Sequence, residues 1–478
     1  MGCLHPISRL FLPHAMNKNN IIFFSAFFLL ILTACTEGLH ERKEALVYND
    51  VIVGDYDPIW TVAKDTAHRS NLSHLKPMPI IDDEIIVGSY KDGNPGFRRM
   101  KIETGEIIWE WYLNLNEFGE IGLFSGTISV TANKTYIITS DNRYMIFTWN
   151  PDIFDPYRKY YLALDITTGK EIWRKNIPSM GSLQVGYDKG DDYIYCSAYN
   201  VFSDDGNSKY INRNAYRVRI ADGQVEEVFR RRKEPELCAV CDACPFTHDG
   251  KKYLFITESV LLDEEDHDNH TSEYGLIDRN TGDTLMWKDD GHEFISNQLT
   301  GIDVHNGVIY VFNSLGYSIL NTKELKFTDK ILLGKSSYEL QNGKKVARTS
   351  DLLDCHYFYK DKLIVGMYFS TSLKEEFPDH QQDPHWIYMP QGFLIDLASN
   401  KVIRKIHADK HASIMDDILY YAEGHNFYAF DINTGEKKID QFFSDYDCSG
   451  TSSVYKNAKG EKFVIVSNVD YTYCFPGL

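Results

Sequence analysis

Short runs of β-branched and aromatic residues recur along this chain, separated by polar turns. They read Ile85-Ile86-Val87-Gly88, Tyr136-Ile137-Ile138-Thr139, Tyr193-Ile194-Tyr195-Cys196, Tyr253-Leu254-Phe255-Ile256, Val308-Ile309-Tyr310-Val311, Leu363-Ile364-Val365-Gly366 and Ile418-Leu419-Tyr420-Tyr421. Runs of this length and composition predict strands rather than helices. After each comes a second phrase, written most fully as Leu164-Asp165-Ile166-Thr167-Thr168-Gly169-Lys170-Glu171-Ile172-Trp173. It returns as Ile277-Asp278-Arg279-Asn280-Thr281-Gly282, running on to Trp287, and as Phe430-Asp431-Ile432-Asn433-Thr434-Gly435. Weaker copies start at Ile102, Ile220, Leu320 and Ile395.

The phrase has the physics of a hairpin. A bulky apolar residue ends a strand, and Ile102, Leu164, Ile220, Ile277, Leu320, Ile395 and Phe430 fill that slot. An acidic or amide side chain then hydrogen-bonds the turn, Gly supplies positive φ, and the next strand runs to a tryptophan. Two hairpins per unit make four strands, which is one propeller blade, and a phrase returning at long intervals marks a repeat architecture. Seven units are complete. An eighth begins with Thr451-Ser452-Ser453-Val454, Phe463-Val464-Ile465-Val466 and Tyr471-Thr472-Tyr473-Cys474 but lacks a fourth strand. Near the N-terminus, Pro58-Ile59-Trp60-Thr61 is a strand without a hairpin, with Trp60 matching Trp109, Trp173 and Trp287. The expected fold is therefore all-β: an eight-bladed β-propeller of four-stranded blades, the last closed by the N-terminal strand. Seven blades is the alternative.

The Asp-x-x-Thr-Gly-Lys-x-x-Trp phrase resembles the repeat of PQQ-like propellers, the quinoprotein alcohol dehydrogenase-like family, and the resemblance spans residues 51–478. It implies the fold strongly and an activity weakly. The family holds quinone-dependent dehydrogenases and also cofactor-free scaffolds, including a lipid-anchored propeller of the outer-membrane β-barrel assembly machinery. Its dehydrogenases carry an adjacent Cys-Cys pair against the quinone, and this chain has none.

Residues 1–35 read as a lipoprotein signal peptide. An apolar run from Ile21 to Thr33 follows Lys18 and closes on Leu32-Thr33-Ala34-Cys35. That run is short for a bilayer span and suits a secretory signal. Its end resembles a bacterial lipobox, making Cys35 the lipid anchor, and Met16 is the expected start. Residues 36–50 form a polar tether, and residues 51–478 the propeller. The expected location is the bacterial cell envelope, on the outer membrane through the lipid, with the side of the membrane left open.

The formal net charge is −18, and the leader removes only basic residues, Arg9 and Lys18, taking it to about −20. Such a charge disfavours nucleic acid and anionic lipid surfaces. Of the nine cysteines, Cys238, Cys241 and Cys244 form Cys-x-x-Cys-x-x-Cys between the third and fourth blades. This spacing admits a metal or cluster site, a disulfide among the three or to Cys196, or packed thiols. Cys355, Cys448 and Cys474 read as packed or paired. The acidic run Asp263-Glu264-Glu265-Asp266-His267-Asp268-Asn269-His270 is a solvated loop or a cation site.

Several connections between second and third strands are long: 141–159, 199–214, the acidic run and 370–391. Loops of this length are functional or disordered. Tyr144, Phe147, Trp149, Tyr157, Trp386 and Tyr388 are the candidate partner-binding or ligand-binding residues. No nucleophile elbow, phosphate loop or His-Glu-x-x-His motif occurs. The leading reading is a non-catalytic lipid-anchored propeller that binds an envelope protein through its loop-rich face. One alternative is a glycan-binding or glycan-processing surface protein; another is an oxidoreductase dependent on PQQ with Ca²⁺, or on another metal.

Overall fold

The computed structural model describes most of residues 52–478. Residues 1–51 lie outside the described residues, as do 65–75, 115–135, 150–159, 177–185, 199–213, 231–237, 262–269, 290–298, 373–385, 407–411, 443–449 and a few single turn positions. The described strands assemble into eight antiparallel sheets arranged as an eight-bladed propeller. Blade 1 is Met78–Ile80, Glu84–Lys91, Asn94–Lys101 and Ile107–Tyr112, and the following blades repeat this four-strand meander. Blade 8 is Thr451–Lys456, Lys462–Ser467 and Tyr471–Pro476, completed by Trp60–Ala63 from the N-terminus.

The closure is the composite blade that the unmatched strand predicts. Trp60–Ala63 runs antiparallel to Tyr471–Pro476, with Trp60 opposite Cys474. Just before it, Ile52–Val53 pairs in parallel with the outer strand of blade 7, at Ile439 and Asp440. The N-terminal chain thus crosses from blade 7 to blade 8. Tyr56 sits at that crossing, stacked on Phe427 of blade 7 and Phe475 of blade 8 at 6.4 and 5.8 Å, and its hydroxyl donates to the Pro476 carbonyl.

The core lies between blades rather than at one centre. Apolar side chains of adjacent sheets interdigitate, as where Phe97 and Trp111 of blade 1 meet Phe147 of blade 2 edge-on at 4.9 and 5.5 Å. Such aromatic pairs add about 0.5–1.5 kcal/mol each beyond their buried area.

The repeated phrase is a five-residue turn. The amide of its glycine donates back to the residue four earlier: Gly105 to Lys101, Gly169 to Asp165, Gly223 to Arg219, Gly282 to Asp278 and Gly435 to Asp431. This register corrects the sequence alignment. Ile102 and Ile220 do not match Leu164; they match Ile166, one place past the acidic slot, and the counterparts of Leu164 are Met100 and Val218. Lys101 and Arg219 stand where the fuller copies have Asp.

Three of these turns are clasped by the preceding blade. Trp60, Trp109 and Trp173 donate their indole N–H to the carbonyls of Ile102, Ile166 and Ile220 at 2.6, 2.8 and 2.7 Å. Their rings cover Gly105, Gly169 and Gly223, where an added Cβ would come within 2.8, 2.6 and 2.8 Å of the indole. Glycine is required here for its positive φ (72, 69 and 70°) and for the space. Trp287 departs from the expected match. It stands five residues after its glycine instead of four, pairing with Gly275 while Met286 takes the clasp register opposite Leu276. One residue of shift turns a strand residue to the other face. Trp287 therefore stacks on Phe229 of blade 3 at 5.4 Å and donates to Glu273 of its own blade.

Candidate interaction face

The two faces of the ring are built differently. One carries the five-residue turns and the tight turns between first and second strands, and its polar groups satisfy one another across the seams. Arg279, 3% exposed, pairs with Asp188 and Asp191 of blade 3 and lies over the Tyr195 ring at 5.3 Å. His248 meets the Gly307 carbonyl and His305 the Lys360 carbonyl, each at 2.9 Å, so blades 4, 5 and 6 are tied in series. Lys360 pairs with Asp417 of blade 7 at 2.8 Å, which holds the Lys360 ammonium pKa up at about 12 and lowers that of Asp417. These groups serve the ring.

The opposite face carries the connections between second and third strands, and there two blades continue past the ring. In blade 4, Cys238–His248 and Lys251–Leu261 are eleven residues each, against six in most strands of the other blades. Blade 6 goes further, with Lys344–Tyr359 sixteen residues long and Lys362–Ser372 and Trp386–Asp396 eleven each. An added strand, Ser336–Gln341, pairs with the far end of the longest one, Ser336 opposite Ser350 and Gln341 opposite Lys344. Across this extension Ser350, Ser370 and Tyr388 are in register, and Ser372 stands opposite Trp386.

The candidate residues divide accordingly. Tyr144, Phe147 and Trp149 are not loop residues. Tyr144–Trp149 is the second strand of blade 2, because Tyr136–Ile138 is its first, innermost strand rather than its second. Phe147 is fully buried, and Tyr144 is partly buried in the next seam. Both are core, so the sequence reading of them as binding residues is corrected. Trp149 ends its strand opposite Tyr160, and its side chain lies outside the described residues, as does Tyr157 altogether. Trp386 and Tyr388 are also on a strand, Trp386–Asp396 of the blade 6 extension, and their side chains lie outside the described residues. Trp149 and Trp386 belong to blades four places apart in an eight-membered ring.

The Cys-x-x-Cys-x-x-Cys segment lies within the first strand of blade 4, not between blades. A strand rises about 3.3 Å per residue, so Cα atoms three apart stand about 10 Å from each other. A disulfide spans less than about 7 Å, and three thiolates so spread cannot share one tetrahedral ion. This spacing argues against a shared ion and against a disulfide among Cys238, Cys241 and Cys244; the side chains of Cys238 and Cys241 lie outside the described residues. The pairing of Cys244 with Cys196 is not made either: Cys196, Cys244, Cys355 and Cys474 are all buried thiols. Burial pushes the thiol pKa values of Cys196 and Cys474 up to about 12, which suits packing and not nucleophilic chemistry. Cys35, Cys448 and most of the acidic run lie outside the described residues. Among the described residues no cluster of His, Cys, Asp or Glu has the geometry of a metal site.

The sequence reading missed a group of carboxylates at the base of the blade 4 extension. Asp242 and Glu258 are buried, Thr257 donates to Asp242 at 3.1 Å, and Glu258 stands opposite Glu273 on the next strand. The signal was present as a Thr-Glu pair closing the apolar run Phe255-Ile256.

No family profile matches the chain, and no curated protein sequence matches it. Solved structures do. A structure of the Dos1 propeller aligns with a TM-score of 0.50 at 11% identity, over 86% of this chain and 95% of that one. Dihydro-heme d1 dehydrogenase NirN in complex with DHE aligns at 0.45 and 10% identity, over 87% and 77%. A prolyl endopeptidase aligns at 0.41 and 12% identity, over 90% of this chain, which spans only 55% of that enzyme's length. At these identities the likeness concerns the fold alone, and it agrees with the strand order: the chain is an eight-bladed β-propeller.

Proposed function

We propose that this chain is a lipid-anchored propeller of the bacterial cell envelope, built on PQQ-like repeats, that acts by binding a protein partner and carries out no reaction of its own. The observation that carries this reading is the blade 6 extension. Ser336–Gln341 pairs on one side with Lys344–Ser350, and no other described strand pairs with it on the other. An edge of this kind offers a row of backbone donors and acceptors to a strand of another chain, with neighbouring side chains adding specificity. Trp386 and Tyr388 stand on the same extension, and aromatic residues of this type anchor protein interfaces. The lipobox supports the anchor, and the Asp-x-x-Thr-Gly phrase supports the repeat family.

The test is to shorten the extension without touching the ring. Replacing Ser337–Thr349 by Asn-Gly joins Ser336 to Ser350, which already stand opposite each other, by a two-residue hairpin and so removes the free edge. The shortened protein is expected to keep its melting transition and to lose the envelope protein that the full-length, lipidated chain captures. Equal capture by both forms would refute the reading.

A further inference from the structure

We propose that the seam between blades 6 and 7 binds a small aromatic carboxylate. The clasp at this seam differs from those where tryptophan serves. Asn400 takes the turn-glycine position of blade 6, with φ 52°, and the residue four places on is Arg404. Its guanidinium lies against Gly435 of blade 7, where an added Cβ would come within 2.6 Å of Nη1. At three other seams an indole N–H satisfies the matching turn carbonyl. Here that carbonyl belongs to Ile432, and among the described residues it receives no donor.

Beside this point is a pocket of about 210 Å³ lined by Lys405, Ile406, Leu419, Phe430, Asp431, Ile432 and Gly435. Cavities of about 150 Å³ take a benzene ring, so one aromatic group fits. The deep walls are apolar: Leu419 and Ile432 are each 1% exposed. Gly435 and Lys405 are exposed and form the mouth. Arg404 is half-buried and has no ion pair or hydrogen bond among the described residues. A partly exposed guanidinium without an anion is available to a ligand, and a carboxylate meets it with paired hydrogen bonds. Asp431 is not paired with Arg404: its Oδ1 accepts the turn amides of Asn433 and Thr434 at 2.8 and 3.0 Å, which ties the carboxylate to its own turn. The pocket therefore asks for a flat apolar body, a carboxylate toward Arg404 and a donor toward the Ile432 carbonyl. An indolyl or hydroxyphenyl carboxylate has all three.

The test is calorimetric titration of the full chain with indole-3-acetate, and with indole and acetate as the ring-only and charge-only controls. Saturable binding of indole-3-acetate is expected, with each control at least about tenfold weaker. Arg404→Gln, which removes the charge and keeps a polar side chain, is expected to weaken binding by about tenfold or more. Arg404→Trp is expected to abolish binding and raise the melting temperature, since an indole then fills the seam as at Gly105, Gly169 and Gly223. Absence of saturable binding to the wild type would overturn the proposal, as would binding unchanged in both variants.

Discussion

Trp109 and Trp173 stand four residues after their turn glycines, and Trp287 stands five after Gly282. That single position decides which blade each ring contacts. The sequence shows a tryptophan after three of these turns, and nothing in composition separates them; only the count through the bulge does. The same count shifts Ile102 and Ile220 out of the slot assigned to Leu164. Residue types at turns are therefore legible at once, whereas register is legible only when counted from the glycine. Trp173 is 7% exposed and hydrogen-bonded to the next blade, so Trp173→Ala is expected to cost about 3–5 kcal/mol in denaturant unfolding. Trp287→Ala is expected to cost less, because its ring is only partly buried. Gly169→Ala meets both a positive φ and the Trp109 ring, so a loss above about 1 kcal/mol is expected. Equal costs for the two tryptophans would mean that they occupy equivalent sites after all.

Among the elements, ring closure was the most legible feature, since an eighth unit short of one strand and an unmatched N-terminal strand imply each other. The parallel pairing of Ile52–Val53 on blade 7 was not legible, because two residues carry no periodicity. Strand order in blade 2 was misread for a related reason: Tyr136–Ile138 looks like the second strands elsewhere, and its own second strand is unusually rich in aromatics. Deleting residues 51–64 is expected to expose the edge of blade 8, lower the melting temperature and promote aggregation. An unchanged transition would mean that the ring closes otherwise.

Alkaline pH acts at the closure, where three buried titratable groups gather, as well as at Cys196 in blade 3 and Tyr317 in blade 5. Burial raises the pKa of the Tyr56 hydroxyl far above its ordinary value, and takes those of the Tyr420 hydroxyl and the Cys474 thiol up to about 12. In the unfolded chain these groups lose their protons near pH 10 for tyrosine and 8.5 for cysteine. The folded state holds the extra protons, so stability is fully present below about pH 8.5 and falls as pH rises through this range toward the folded values. Hydrogen exchange is expected to increase first in residues 56–64 and 471–478 as pH rises, after correction for the intrinsic rate. Uniform loss of protection around the ring would contradict this.

For the whole molecule, the division of labour between faces is what gives the functional reading its direction. One face is consumed by contacts that hold blades together, from Arg279 to Lys360. The other carries sheets longer than a blade needs. The sequence marked that second face by the length of its connections, and it named Trp386 and Tyr388, whose backbone lies on a strand of the blade 6 extension. It also named Tyr144 and Phe147, which are core. Aromatic residues look alike in a loop and in a buried strand until the strand order is known.

The central claim is that the partner sits on the extended face, and crosslinking of the lipidated protein in native envelopes, mapped by mass spectrometry, tests it most directly. Lysine-directed links are expected to concentrate at Lys344 and Lys345 on the blade 6 extension, and on one dominant protein. Links concentrated instead at Lys252, Lys360 and Lys459, on the turn-bearing face, would contradict the account.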